Sequence, residues 1–179
     1  EVRILLTGGS SFLGQGLIRR LGPSHELRLL DCGSSRELAG CQAMVHLWSE
    51  STDGLETEAR AAGVGPIIRV LAWTEPLVHP VEACTLRLPP LIGPGDPDGT
   101  VGRWLSAADT EPPSGRAVMV DHRDALGGIE SALWKGKQAH QYTLVGANPT
   151  WVQLAELLRR LGGAGGVSGT WGEDAGVLS

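Results

Sequence analysis

The chain has 179 residues, 41% of them hydrophobic, and a net charge of −5 with no basic run. These values describe one packed globular domain and exclude a disordered chain or a protein whose main partner is nucleic acid. No apolar run approaches the length of a membrane span, and Glu1 leads almost at once into a strand, so a cytoplasmic protein without a signal peptide is expected.

Taken in chain order, "VRILLT" (2–7) is a short apolar run ending at a glycine turn, the pattern of a buried parallel strand. "FLGQGLIRRL" places Phe12, Leu13, Leu17, Ile18 and Leu21 at helical spacing, and Gly22-Pro23 stops it. "ELRLLD" is a second strand, which completes a βαβ unit. "SSREL" has room for one or two helical turns, and "AMVHLW" (43–48) is a third strand. Asp53 and Glu56 have the spacing of a capping box for a helix that runs to Gly63. "IIRVLA" (67–72) and "EACTLRL" (82–88) are the fourth and fifth strands, followed by the loop "PPLIGPGDPDG". Arg103 and Trp104 follow this loop and are expected in a solvated loop. "RAVMV" is a strand, and Asp121 or Asp124 caps the helix that carries Leu126, Ile129 and Leu133. "QYTLV" is a late strand. Thr150 and Gln153 form a second capping box before "WVQLAELLRRL", which Gly162 closes. The alternation predicts an α/β fold, a Rossmann-type doubly wound and mostly parallel sheet in a single shortened domain over 1–161, with a mobile glycine-rich tail over 162–179.

Cys32, Cys41 and Cys84 lack CxxC spacing and suit a reducing compartment. The basic residues are almost all arginine, a bias expected of a GC-rich bacterial genome. No His/Cys/Asp/Glu group has metal-ligand spacing.

Chemistry concentrates in "TGGSSFLG" (7–14). A strand that ends in such a turn presents backbone N–H groups to a pyrophosphate at a helix N-terminus. Gly8 permits the tight turn and Gly14 the close packing of helix on strand, while Ser11 stands where such patterns place their middle glycine and is taken as tolerated drift. Asp31 ends the second strand, seventeen residues after Gly14, where a carboxylate accepts ribose hydroxyls and repels a 2′-phosphate. That favours NAD over NADP. Alternatively, Gly8 and Gly14 serve only the turn, and Asp31 only ends its strand.

Six blocks in order resemble the extended short-chain dehydrogenase/reductase family, also called the NAD-dependent epimerase/dehydratase family. "TGGSSFLG" resembles its TGGxGFLG, "GCQAMVHLW" its GxDxVxHLA, and "LRLPPLIGPGD" its LRPxxxYGPGD. "EARAAGV", "MVDHRDAL" and "YTLVGANPTWVQLAELL" resemble further blocks, so the likeness spans most of 2–161. It implies NAD binding through Gly8, Ser11, Phe12, Leu13, Gly14, Asp31, Leu47 and Trp48, and a sugar nucleotide or small carbonyl compound as substrate.

The family's proton relay, a Tyr-x-x-x-Lys pair with a nearby Ser or Thr, is missing. Tyr142 is the single tyrosine, and Lys135 and Lys137 both precede it. Between Ala72 and Glu82 stand nine residues, "WTEPLVHPV". They reach about 30 Å when extended, enough to return along a strand but not to form a covering helix. One sheet face is therefore bare there, or a partner chain or second copy covers it, or a segment lies outside this sequence. Trp48 and Trp73 fall at strand ends, where they fill nicotinamide space, form an aromatic platform for another ligand, or plug a shortened core. Thr74 and His79, with Glu75 between them, are the catalytic candidates for a redox-neutral step. His46, inside a strand, is a core residue on this reading.

Overall fold

The computed structural model describes residues 1–30, 38–47, 53–75, 82–95, 100–162 and 177–178. The elements run β1 (Arg3–Thr7), α1 (Phe12–Leu21), β2 (Glu26–Leu30), β3 (Ala43–Leu47), α2 (Asp53–Ala61), β4 (Ile67–Ala72), β5 (Cys84–Leu88), β6 (Leu91–Ile92), α3 (Thr100–Ala107), β7 (Arg116–Ala117), β8 (Val120–Asp121), α4 (His122–Lys135), β9 (Gln141–Thr143), α5 (Trp151–Gly162) and β10 (Val177–Leu178).

Six strands form one sheet in the order β2-β1-β3-β4-β5-β9, and every neighbouring pair is parallel. The chain goes outward from β1 to β2, then returns to lay β3 on β1's other side. This reversal is the switch point of a doubly wound, Rossmann-like α/β sheet, and it opens a crevice at the carboxyl ends of β1 and β3.

Alternation along each strand builds two cores. Ile4 and Leu6, Ala43, Val45 and Leu47, Ile68 and Val70, and Leu86 and Leu88 face α1 and α4. Leu5, Met44 and Ile67 face the other way, toward Leu55 and Ala59 of α2. Helix α1 buries Leu13, Leu17 and Leu21 at i, i+4 and i+8, each worth about 2 kcal/mol of burial. Its last turn carries Arg19 and Arg20, favourable at a helix C-terminus, and Gly22 closes it through an N–H bond to the Ile18 carbonyl.

Three sequence expectations change. The "RAVMV" stretch is two short strands: β8 pairs with β6 in parallel, and β7 pairs antiparallel with β10. The end of the glycine-rich tail thus returns to β7, while 163–176 lie outside the described residues. Arg103 and Trp104 are not in a solvated loop but in α3, where Thr100, Trp104 and Ala107 are buried at i, i+4 and i+7. The Trp104 ring meets Trp151 of α5 edge-on, with centroids 5.6 Å apart, and the two seed a third core with Met119, Leu154 and Leu158. Glu56 does not complete a capping box; it is buried and paired with Arg69 of β4.

Two cap expectations hold. Thr150 Oγ1 accepts from Gln153 N–H at 3.1 Å, and Gln153 Oε1 accepts from Thr150 N–H at 2.9 Å. Asp121 caps α4 by accepting from Arg123 N–H at 2.8 Å, and the Arg123 guanidinium bonded to its carboxylate holds Asp121 below the usual carboxylate range. "SSREL" lies almost wholly outside the described residues.

Parallel β4 and β5 lie side by side, Ile68 to Ala72 against Cys84 to Leu88. Among the described residues of their connection there is no helix. On the α2 side of these strands Arg69, Leu71 and Arg87 are half-buried.

Candidate nucleotide site at the switch point

The loop from β1 to α1 is shaped by two glycines. Gly8 has φ +68°, a left-handed conformation that side chains resist, and a Cβ there would lie 3.2 Å from Leu47 Cβ. Leu47, at the end of β3, therefore packs directly against the Gly8 turn. Gly14, in the first turn of α1, leaves no space at all: a Cβ would overlap the Gly8 carbonyl oxygen and lie 2.8 Å from Gly9 Cα. The helix start is pressed onto the loop, as the glycine spacing predicts.

The first amides of a helix have no intrahelical acceptor. Ser11 is the N-cap of α1; its Oγ accepts from Gly14 N–H at 3.0 Å and donates to the Gly8 carbonyl at 2.7 Å. Ser11 is therefore a capping part of the turn. The Phe12 and Leu13 N–H groups stand at the positive end of the helix dipole, where an anion binds. Gln15 adds a latch that the sequence did not announce: its Nε2 donates to the Gly9 carbonyl at 2.8 Å.

Helix α4 supports the loop from beside it. The His122 imidazole stacks on the Phe12 ring, with centroids 4.0 Å apart, and its Nε2 lies 3.3 Å from the Phe12 carbonyl oxygen. Gly16 makes room for it, since a Cβ there would be 2.7 Å from the imidazole. Gly93, after β6, also passes close: a Cβ there would be 3.1 Å from that of His122. "DHRD" was legible only as a helix cap, because a histidine in a charged run gives no sign of the ring it will meet across the fold.

Behind the crevice, Thr7 Oγ1 and His46 Nδ1 are hydrogen-bonded. His46 is a core residue, as expected, and burial holds its pKa below the ordinary histidine value. Farther along the sheet, Arg87 Nη2 donates to the carbonyls of Trp73 and Glu75 and ties the turn after β4 to β5. Glu75 Oε2 accepts from Ala72 N–H at 3.3 Å, so this carboxylate points back along its own turn. Thr74 is exposed there.

Gly8, Ser11, Phe12, Leu13, Gly14 and Leu47 thus come together at one place, and Trp73 and Thr74 lie on the same edge of the sheet, at the end of β4. Asp31, Trp48 and His79 lie outside the described residues. Tyr142 is on the edge strand β9, where its hydroxyl accepts from Lys137 N–H at 3.4 Å. No group of three or more His, Cys, Asp or Glu among the described residues could hold a metal ion. No described helix is long and apolar enough to cross a membrane.

No protein-family model matches the chain, and no curated protein matches it. Solved structures do. The chain is similar to the UDP-N-acetylglucosamine 4-epimerase from Bacillus cereus at 15% identity and a TM-score of 0.68, with 96% of this chain and 85% of that one covered. It is similar to the Bordetella bronchiseptica enzyme WbmG, solved in complex with NAD and UDP, at 17% identity and 0.69, covering 100% and 85%. A GDP-L-fucose synthetase from Naegleria fowleri bound to NADP aligns at 12% identity and 0.68, covering 100% and 84%. At these identities the likeness establishes the Rossmann-like fold.

Proposed function

We propose that this chain binds a nicotinamide dinucleotide, NAD in preference to NADP, across the β1/β3 switch point, as a shortened and divergent relative of the NAD-dependent epimerases/dehydratases. The observation that supports the reading is the close approach of Gly14 to the Gly8–Gly9 backbone, which presses the start of α1, with the amides of Phe12 and Leu13, onto the end of β1 at the switch point. That several similar folds were solved with NAD or NADP supports it. The Phe12 and Leu13 amides would hold the diphosphate, Leu47 would pack beneath it, and Asp31 would accept the adenosine ribose hydroxyls.

A bound nicotinamide supplies hydride transfer. For the family's chemistry the protein must also move a proton, and no Tyr-x-x-x-Lys pair exists here to do so. Binding without turnover is the expected behaviour. Were turnover found, a sugar nucleotide or small carbonyl compound is the substrate class to test first.

Calorimetric titration with NAD, NADP and ADP tests the reading. Saturable binding of NAD, weaker for NADP, is expected; a flat NAD titration overturns it. A second reading is a binding scaffold whose second copy or partner chain lies on the β4–β5 face; what supports it is that no helix joins these two strands among the described residues. A concentration-independent monomer argues against self-association. A redox-neutral reaction using Thr74 and His79 is the third reading; Thr74→Ala and His79→Ala would abolish it without altering NAD affinity.

A further inference from the structure

Three arginines gather on the α2 side of β4 and β5. Arg60, in the last turn of α2, pairs with Glu82, and Arg69 pairs at two points with Glu56. Arg87 differs. Its Nη2 donates to the carbonyls of Trp73 and Glu75, and among the described residues no carboxylate pairs with it. The Glu75 carboxylate accepts from Ala72 N–H instead. Arg87 Nε is buried with no hydrogen-bond partner among the described residues. Thr85, two residues earlier on β5 and on the same face, is fully buried, and its Oγ1 also has no partner there. Buried polar atoms in native folds are nearly always satisfied, so two on one strand face mark a place that an outside partner completes. Water would serve the hydroxyl but leave the guanidinium without a counter-charge; an anion serves both.

Register carries the patch onto the edge strand. Thr85 is paired with Gln141 and Arg87 with Thr143, and register partners share a face. Tyr142, between them, pairs with Leu86 and belongs to the α4 side. Thr85, Arg87, Gln141 and Thr143 thus stand at the corners of a patch about 4.8 Å across the strands and about 6.6 Å along them. Every corner carries a hydrogen-bond donor and none is acidic. Gln141 and Thr143 are exposed, so the patch opens at the β9 edge.

We propose that this patch binds the oxyanion group of a small molecule, a carboxylate or a phosphate, which enters over β9. Arg87 Nε–H and the Thr85 hydroxyl donate to its oxygens, and Gln141 and Thr143 form the rim. Removing an anion from water is costly. Against that, Arg87 is already held by two backbone carbonyls, so binding forfeits little side-chain freedom. The patch lies on β5 and β9, with β4 between it and the β1/β3 switch point, and the proposal does not rest on the nucleotide reading.

The test is calorimetric titration of inorganic phosphate and, separately, of succinate into the parent, Thr85→Val and Arg87→Lys, in chloride at constant ionic strength, with the Tm of each protein before titration. Saturable binding of at least one probe by the parent is expected. Phosphate alone identifies a phosphate site, succinate alone a carboxylate site, and both an oxyanion site that does not discriminate. Thr85→Val should bind about tenfold more weakly, yet melt no lower than the parent, because the hydroxyl it lacks had no partner to lose. Arg87→Lys keeps the charge but not the Nε–H, and should weaken binding by a similar factor. A merely structural role for Thr85 would lower the Tm and leave affinity unchanged. No saturable heat with either probe overturns the proposal, as does a Thr85→Val protein that binds as the parent does. NAD affinity should be equal in the parent and Thr85→Val, so the nucleotide reading stands or falls by its own titration. Should Arg87→Lys not fold, Thr85→Val decides alone.

Discussion

The Thr7 hydroxyl and His46 Nδ1 share a hydrogen bond of 3.1 Å between register partners at the ends of β1 and β3, directly behind the Gly8 turn. Thr7 is 5% exposed and His46 1%. Nε2, the ring's other nitrogen, is buried without a hydrogen-bond partner among the described residues. Burial, the largest effect, and Arg69 both oppose protonation, and together they outweigh Glu56, which favours it.

A pH dependence follows from this pair. In the unfolded chain His46 takes up its proton near its ordinary value of 6.5, whereas in the folded protein it does so only at lower pH. Protonation therefore favours unfolding: the contribution to stability is complete above about pH 6.5 and is lost as pH falls below it. Melting temperatures between pH 8 and pH 5 should drop more steeply for the parent than for His46→Gln, which retains a hydrogen-bonding partner for Thr7 but does not titrate. Equal slopes would assign the loss to other groups.

Glu56 and Arg69 form a two-point ion pair, Nε to Oε1 at 2.7 Å and Nη2 to Oε2 at 2.6 Å, with side chains 3% and 13% exposed. Glu56→Ala should destabilise the protein by about 3–5 kcal/mol in denaturant unfolding, because the Arg69 guanidinium loses both of its bonds to this buried carboxylate. Replacing both residues with apolar side chains of similar volume should cost less than the single change. A double replacement as damaging as Glu56→Ala would contradict that account.

Gly14→Ala drives a methyl into the Gly8 carbonyl and the Gly9 backbone. Backbone cannot swing aside as a flexible side chain does, so a loss of about 3 kcal/mol is expected from the forced shift. NAD binding should disappear under conditions where the variant is still folded. Retention of parent-like affinity would show that the amides of α1 are not the binding groups.

Trp151 is 1% exposed and stands edge-on to Trp104. Trp151→Ala should cost about 3–5 kcal/mol and remove part of the near-ultraviolet circular dichroism of the coupled indoles. Trp151→Phe should recover much of the stability but not that signal. An unaltered spectrum in Trp151→Ala would mean that the rings do not meet in solution.

Much of the frame was open to reading because its causes are local. Apolar runs bounded by turn residues dictated β1, β2, β3, β4 and β5, helical spacing with a Gly-Pro stop dictated α1, and helical spacing with capping residues dictated α4 and α5. Helix α3 escaped notice because its buried positions, Thr100, Trp104 and Ala107, follow a proline-glycine run that resembles an uninterrupted loop. Its period was nonetheless present in the sequence.

By itself the sequence determined the order of β1 to β5 with α1 and α2 between them, the sharp turn at Gly8 and the absence of a Tyr-x-x-x-Lys relay, since each depends on residue type and near neighbours. Only the folded structure decided that Ser11 caps its helix, that Glu56 serves Arg69 and not a capping box, that His122 stacks on Phe12, and that the chain end returns to β7. Those are partnerships between groups made adjacent by strand register and helix packing. A side chain with several satisfactory partners takes the one that the sheet places within reach.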